Sequence, residues 1–502
     1  MSRLTLLALL LMGIPAPGWA QDGEWSVLRT GQLRVGTAGV FLQAHEAFDS
    51  DGGVRPLGSE LGSSNALTLF PGSTGLVEAL RDITAIPGYE PALGSTRSYM
   101  QTSQIRVPFQ AEIGVTPWLT LGVTVPLVKS RVEGEVSLLP LGGAELGVNP
   151  AFFRSAEIQA FTDQLAASAA GLPAGESEAW GAWADRWIDL YGASTLFPAA
   201  GTPGGDALVA AVSEFNAVLG AAGLPPVAVA VPLAEAPLTN DGLRVLLFDP
   251  AGHYQLLPLP TQLLWGLGDI RLHGRIRVLE GPTLPSSGRP AYGITAEGSI
   301  RLPTGGGDEP RALFDLPAGE GHVGVSAGTA LWLRSRRFGL ATRVRYEVLQ
   351  SAEVARRVGP LEFPLLPVAN TRVVERDPGD VLEVEARPAV AMGRALWIEL
   401  SYRYLRKGQD RYQNVGPLPA RPVERLPYPS GDLYADPSVL EVGTERTVQR
   451  VGGGLRYHPP SGDFPAEVWA RVELTIAGAG SQALKATRLE FGGRVIRSLW
   501  GG

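Results

Sequence analysis

Connections between the predicted strands of this 502-residue chain alternate between short and long, and this alternation constrains the fold more than any other feature. The short connections are Thr116–Trp118, Gly281–Pro290, Arg334–Phe338, Met392–Ala395 and His458–Phe464. The long connections are His45–Thr102, Arg131–Trp265, Pro303–Gly319, Ser351–Gly379 and Lys407–Val442. A transmembrane β-barrel has short turns at its periplasmic end and long loops at its external end, whereas a soluble β-sandwich has no reason to sort them.

The first 20 residues are typical of a secretory signal peptide. Arg3 precedes the apolar run Leu4–Met12, which is too short to cross a bilayer as a helix, and small residues before Ala20 predict cleavage there. Residues 21–502 would then form the barrel. The chain has no cysteine, which excludes a lipoprotein anchor and disulfides. Its net charge of −7 is spread without a basic block, which argues against nucleic-acid binding.

Segments of alternating polarity predict an all-β fold, an antiparallel transmembrane β-barrel of about twelve strands. The predicted strands are 32–44, 103–115, 118–130, 268–280, 289–302, 320–334, 338–350, 380–392, 395–406, 443–457, 465–477 and 483–499. In the ninth segment, for example, Leu396, Ile398 and Leu400 alternate with Glu399 and Ser401. A side-chain period of two places each set on its own sheet face. The alternative is a soluble antiparallel sheet with one wet face.

The long insertion at residues 149–223, between the third and fourth strands, changes to a helical period and predicts three short amphipathic helices on the extracellular side. Leu76–Ile83 predicts a further helix in the first long loop. Trp180, Trp183 and Trp187 recur at helical spacing within the insertion. They are either the core of a small helical cap or an aromatic platform for a ligand at the mouth.

Charged residues on the polar face of the strands are the strongest chemical signal, because a barrel turns that face towards its lumen. They are Arg271, His273, Arg275, Arg277, Arg343, Arg345, Glu347, Glu383, Glu385, Arg387, Glu399, Arg403, Glu467, Arg471 and Glu473. Such a set either selects solutes along an open pore or fills a narrow barrel with mutually satisfied ion pairs. The sequence favours neither interpretation.

Motifs for catalysis, cofactors or metals are weak. Gly324–Gly328 matches G-x-S-x-G around Ser326, but it lies in a strand with no helix after it. Asp49, Asp51 and Glu60 have part of a calcium-loop spacing, with Val54 where that loop needs glycine. We therefore predict no enzyme, no catalytic residue, no cofactor and no metal site.

Three short motifs resemble one family of bacterial outer-membrane proteins. Phe109–Gly114 and the following Thr116–Gly122 resemble its strand–turn–strand signature, Gly266–Ile270 its strand entry and Arg301–Gly305 its strand exit. The family is the meta-pathway phenol-degradation type, distantly akin to fatty-acid transport barrels. The resemblance covers the strands between about Gln104 and Tyr346, without the helical insertion. It implies a barrel that moves hydrophobic or aromatic small molecules and carries no catalytic residues.

These observations predict a barrel in the outer membrane of a Gram-negative bacterium that passes or binds small solutes beneath a helical cap. Outer-membrane lipid, a small-molecule solute and the barrel-assembly machinery are the expected partners. The alternative is a barrel plugged by its own ion pairs that acts as a structural or interaction protein through its external loops.

Overall fold

The computed structural model describes residues 25–139, 143–259, 261–262, 265–281, 290–314, 316–393, 395–416, 435–459, 466–480 and 483–500. The predicted signal peptide, parts of the turns at 281–290 and 458–464, and part of the loop at 407–442 lie outside these residues. No helix in the described part of the chain is both long and apolar enough to cross a membrane.

Within the described residues, twelve antiparallel strands form one closed wall. They are β1 (Gln32–Phe48), β2 (Ser95–Thr116), β3 (Leu119–Leu139), β4 (Ile270–Glu280), β5 (Ala291–Leu302), β6 (Gly324–Arg334), β7 (Phe338–Leu349), β8 (Val381–Ala391), β9 (Leu396–Lys407), β10 (Arg446–Tyr457), β11 (Ala466–Ala479) and β12 (Ala483–Ser498). Each strand pairs with the next, and β12 pairs with β1 to close the barrel.

The twelve predicted strands are confirmed, with one difference in length. β2 and β3 have 22 and 21 residues, about twice the length that a membrane crossing needs. The sequence did not reveal the extra part because Ser95–Gln101 is mostly polar and lacks the alternation of a wall strand. The hairpin therefore extends beyond the other strands at the end of the barrel that carries the long connections, which we call the loop end. The opposite end is the turn end.

Apolar side chains cover the outside of the wall. Leu272, Val344, Leu400 and Val472, which the alternation places on the outer face, are 46%, 46%, 61% and 43% exposed. Residues on both sides of them along each strand point inward. An outer surface of exposed Leu, Val and Ile is what a barrel immersed in lipid requires.

Five helices lie at the loop end: α1 (Ser73–Thr84), α2 (Ser155–Ala170), α3 (Ala174–Ala193), α4 (Pro203–Ala221) and α5 (Asn240–Phe248). The predicted helices are confirmed, but the helical region is not confined to residues 149–223, since α1 and α5 share its hydrophobic core. We call residues 57–94 and 143–259 the cap. Sequence periodicity could not show that segments so far apart in the chain pack together.

The cap joins opposite sides of the rim. Its core continues into Ala44, Val136 and Ala486 on β1, β3 and β12, and into Phe314 and Leu365 from the loops after β5 and β7. In a twelve-strand ring, those loops lie roughly opposite β1 and β12. The cap therefore extends across the loop end of the barrel.

Smaller sheets belong to the connections. Ala352–Arg357, Thr371–Asp377 and Arg411–Asn414 form a three-stranded sheet, and Leu146–Val148 pairs with Leu196–Pro198 in the cap. Val54–Pro56 extends the pairing of β1, while Thr261–Gln262 and Gly266–Leu267 pair with β3.

Candidate functional site

Inward-facing charges on the wall pair across a strand that carries glycine. Glu112 on β2 is within 2.5 Å of Arg34, and its other oxygen lies 2.8 Å from both Arg275 and His273 on β4. The strand between β2 and β4 has Gly122 at this height. A Cβ there would lie only 2.5 Å from the His273 ring, so the pair can form only across glycine.

The same arrangement recurs on the next strands. Arg343 on β7 donates to Glu297 on β5 at 2.5 Å, across Gly328 of β6. Glu347 on β7 contacts Arg301 on β5 at 2.7 Å. Gly324 of β6 lies between them, and a Cβ there would be 2.9 Å from the Glu347 carboxylate. These contacts connect strands that share no backbone hydrogen bonds.

A third set completes the ring through β8 to β12. Arg403 on β9 donates to Glu385 at 3.0 Å and lies 3.9 Å from Glu473 on β11. Gly452 on β10 leaves the room for the second contact, because a Cβ there would be 2.8 Å from the Glu473 side chain. We call this ring of inward ion pairs the charge belt.

Every charged residue that the sequence placed in the lumen lies against an oppositely charged or ionisable partner in the belt. These fifteen residues are Arg271, His273, Arg275, Arg277, Arg343, Arg345, Glu347, Glu383, Glu385, Arg387, Glu399, Arg403, Glu467, Arg471 and Glu473. Further members that the sequence analysis did not single out are Arg34, Glu112, Glu297, Arg301, Arg456, Arg488, Glu490 and Arg494. Several of these residues follow the same alternation of polar and apolar positions, so the sequence pattern could have identified them as inward-facing.

Burial shows that the side chains of the belt pack closely against one another. The side chains of Glu112, Glu399 and Glu473 are at most 2% exposed although they point away from lipid. Arg106 differs, because it faces inward on β2 closer to the loop end and is exposed. An inward residue that remains accessible borders open space. The lumen is thus packed at the belt and more open above it.

The chain preceding β1 enters the barrel at the turn end. Trp25, Ser26, Val27 and Leu28 are at most 3% exposed. The Leu28 amide donates to the Thr120 hydroxyl at 2.8 Å. We call residues 25–28 the N-terminal segment. Alternation could not have revealed it, because it belongs to no strand.

Two further hydrogen bonds fix this segment inside the wall. The Trp25 carbonyl accepts from the hydroxyl of Thr295 at 3.1 Å, and the Ser26 carbonyl accepts from Arg34 at 3.3 Å. Thr295 lies on β5 and Arg34 on β1, so the segment contacts separate parts of the ring. It occupies the lumen on the side of the belt away from the cap.

The pairing between β3 and the chain before β4 shifts register close to the loop end, where the Gly268 amide donates to the Pro126 carbonyl at 2.8 Å. The ladder from Leu119 to Thr124 stops before Pro126, whose ring nitrogen has no hydrogen to donate. Pairing resumes with Gly266–Leu267. This seam is not an open gap, since a Cβ on Gly268 would lie 2.9 Å from the carbonyl of Ala318, in the loop after β5.

Residues of two of the motifs that resemble the outer-membrane protein family lie close together at this seam. The Asp269 carboxylate accepts from the amides of Gly305 and Glu320 at 3.0 and 2.7 Å. The Thr304 hydroxyl donates to the Gly268 carbonyl at 2.8 Å and accepts from the Ile270 amide at 2.9 Å. The residues of these motifs thus form the hydrogen bonds that hold the β5–β6 loop, residues 303–323, against the wall. We call this set of hydrogen bonds the Asp269 clamp.

The tryptophan stripe lies among core contacts of the cap. Trp187 is fully buried, and the rings of Trp180 and Trp183 lie 4.9 and 5.3 Å from Phe215. Trp183 donates to the Ile83 carbonyl at 3.2 Å, which connects α3 to α1. These contacts favour the cap-core interpretation over the exposed platform.

The weak motifs have ordinary structural partners. Ser326 shares a hydrogen bond with the Ser299 hydroxyl at 2.7 Å. The Asp49 carboxylate accepts from the backbone amides of Asp51 and Gly53, as in a tight turn. Within the described residues, no cluster of three or more His, Asp or Glu side chains is arranged to hold a metal ion.

The closed sheet and its apolar outer face define a transmembrane β-barrel, with helices packed at one end and the buried N-terminal segment inside the other. No protein-family model and no curated protein matches the chain.

Several solved structures are similar to it at low identity. An outer membrane channel from Pseudomonas putida F1 shares 8% identity with a TM-score of 0.42, over 95% of this chain and 99% of that one. The Pseudomonas putida toluene transporter TodX shares 12% identity with a TM-score of 0.27, over 93% and 89% of the two chains. A Pseudomonas aeruginosa FadL homologue shares 10% identity with a TM-score of 0.25, over 93% and 90%.

Proposed function

We propose that the protein is a bacterial outer-membrane channel for small hydrophobic or aromatic solutes, and that this structure is its closed state. The observation that carries the proposal is the N-terminal segment. Residues 25–28 are buried at the turn end but belong to no wall strand, and side chains of the wall residues Thr120, Thr295 and Arg34 hydrogen-bond to them. A barrel that served only as an anchor would not need a separable closure.

In this proposal the loop end is external and the turn end is periplasmic. The cap gates the external mouth, where Arg106 borders the open part of the lumen. The charge belt narrows the path because its side chains pair with one another and do not point freely into water. The seam beside Pro126 and Gly268, covered by the β5–β6 loop, is a second candidate exit for an apolar solute.

The proposal needs neither a cofactor nor a catalytic group. Outer-membrane lipid is the partner of the apolar outer face, and the barrel-assembly machinery would insert the protein. The alternative function is that of a plugged barrel acting through its external loops, which the burial of the belt favours.

The two functions differ in the effect of removing the N-terminal segment. We would compare the mature chain with a variant that starts at Arg29, by single-channel current and by liposome swelling with a neutral small solute. The matched control replaces the adjacent exposed Arg29 and Thr30 by alanine and keeps the buried residues. A channel predicts a clear rise in permeability for the truncated variant alone.

Heat-modifiable migration on gels would confirm that all three proteins are folded and inserted. Unchanged permeability in the truncated variant, combined with no solute flux in the mature chain, would support the plugged barrel instead.

A further inference from the structure

A half-open cavity of about 80 Å³ lies at the turn end, between the N-terminal segment and the wall from β6 to β10. Of its lining residues, the sequence analysis assigned Arg387 alone to the lumen. The cavity is lined by Trp25, Trp332, Leu333, Arg334, Gly339, Leu340, Ala341, Arg387, Ala389, Trp397, Arg456 and His458. Three tryptophans and three arginines are present, and no carboxylate lines it.

The aromatic side chains are fixed in place. Trp25 and Trp397 are 3% and 7% exposed, so their orientations are set by packing. Trp332 lies flat on β5 because its neighbour there is Gly293, where a Cβ would be 2.6 Å from the indole. Rigid aromatic faces around a small space suit a flat ring, which gains contact area without loss of side-chain freedom.

The three arginines are not equivalent. Arg387 donates to Glu385 at 2.6 Å, and Arg456 forms an ion pair with Glu399, so the belt already neutralises both. Arg334 is half-buried and its guanidinium stacks on the Trp397 ring, 4.9 Å from the centroid. It has no carboxylate within ion-pair distance among the described residues. Glu467 acts on Arg334 from beyond that distance, so an anion placed directly on the guanidinium would gain a charge-assisted hydrogen bond.

We propose that this cavity binds a small aromatic carboxylate, with the ring between the tryptophans and the carboxylate on Arg334. The inference deepens the proposed function and rests on it for the route of the ligand through the barrel. The cavity is small and open on one side, so part of any ligand would remain in solvent, which favours a benzoate-like acid over a long-chain one. Neutral arenes would share the aromatic contacts but not the charged hydrogen bond.

Binding to the full mature chain in detergent would test the site without any transport step. The probes are 4-fluorobenzoate and its neutral amide, 4-fluorobenzamide, followed by fluorine NMR line broadening with empty micelles as background. We expect the acid to bind about tenfold more tightly, because a hydrogen bond to a charged group is worth roughly that factor. Arg334→Gln should abolish the preference and leave amide binding unchanged.

The control is Arg337→Gln, which makes the same charge change in the same turn at an exposed side chain. It should retain the preference. Trp25→Ala should weaken both probes, because it removes an aromatic wall. Equal affinity of the wild-type chain for acid and amide, or an unchanged preference in Arg334→Gln, would overturn the site. Either result leaves the permeability of the truncated variant as an independent measure of the channel.

Discussion

At the residue scale, inward glycines determine which charges can meet. Gly122, Gly328 and Gly452 each occupy the strand between two partners, where any side chain would collide with the ion pair. Sequence alternation identifies which charges face inward, but it predicts contacts only between adjacent strands. Contacts across an intervening strand depend on the closed geometry of the barrel. The sequence could therefore show the members of the belt but not their partners.

We predict that Gly122→Val destabilises the barrel by about 3 kcal/mol, because the new side chain overlaps both Glu112 and His273 and displaces the buried carboxylate from its partners. Urea unfolding in lipid vesicles would measure this. Gly298→Ala is the control, since its Cβ would meet nothing closer than 3.7 Å. Equal stability of the two variants would show that the crossing glycine is not required.

His253 is a residue of the cap with a strong response to pH. Burial lowers the pKa of His253 to about 3, and the positive charge of Arg357 contributes. The histidine ring packs 4.5 Å from the Phe152 ring. Because the unfolded chain takes up a proton near pH 6.5 and the folded cap does not, the cap loses stability as pH falls from 6.5 towards 3.

We expect the difference to reach at most about 3 kcal/mol at pH 4. Tryptophan fluorescence would follow urea unfolding of the cap at pH 7 and pH 4. His253→Gln should remove most of the pH dependence, whereas His45→Gln, at an exposed position, should retain it. A cap with the same stability at both pH values would contradict the prediction.

At the scale of elements, the twelve strands and the cap helices follow from period alone, whereas their packing does not. The sequence analysis treated residues 149–223 as one helical insertion. In the structure, Phe70, Leu76 and Leu80 are buried in the same hydrophobic core as that segment. Deleting the segment would therefore expose part of the remaining cap, and it is a poorer test of gating than the N-terminal truncation.

The Asp269 clamp gives a prediction for one connection. Asp269→Ala removes the acceptor for the amides of Gly305 and Glu320, so the β5–β6 loop should leave the seam more often. Limited proteolysis of the inserted protein should then cut within residues 303–323 at a markedly higher rate. In the Glu309→Gln variant, which changes an exposed pair with Arg311 in that loop, the protease should cut at the wild-type rate. Equal protection of both variants would show that other contacts hold the loop.

At the scale of the whole molecule, lipid contact determines which substitutions the wall tolerates. Leu400 is outward-facing, 61% exposed and central on β9. Leu400→Arg should destabilise the inserted barrel by roughly 2–4 kcal/mol near the midplane, while Leu396→Arg at the start of the same strand should do so by about 0–1 kcal/mol. Folding into vesicles at graded urea would measure both. Similar values for the two would place this wall outside a bilayer.

The ion pairs that span a glycine on the intervening strand also connect strands that are not neighbours in the sheet. Hydrogen-bond ladders hold neighbouring strands side by side, but each ladder can in principle slip by a residue along the strand. Arg343 and Glu297 lie on strands two positions apart, so their contact fixes the stagger of three strands at once. A strand inserted one residue out of register would turn an apolar side chain towards each waiting carboxylate. The ring of charges can therefore select the correct register when the barrel assembles, before any solute reaches it.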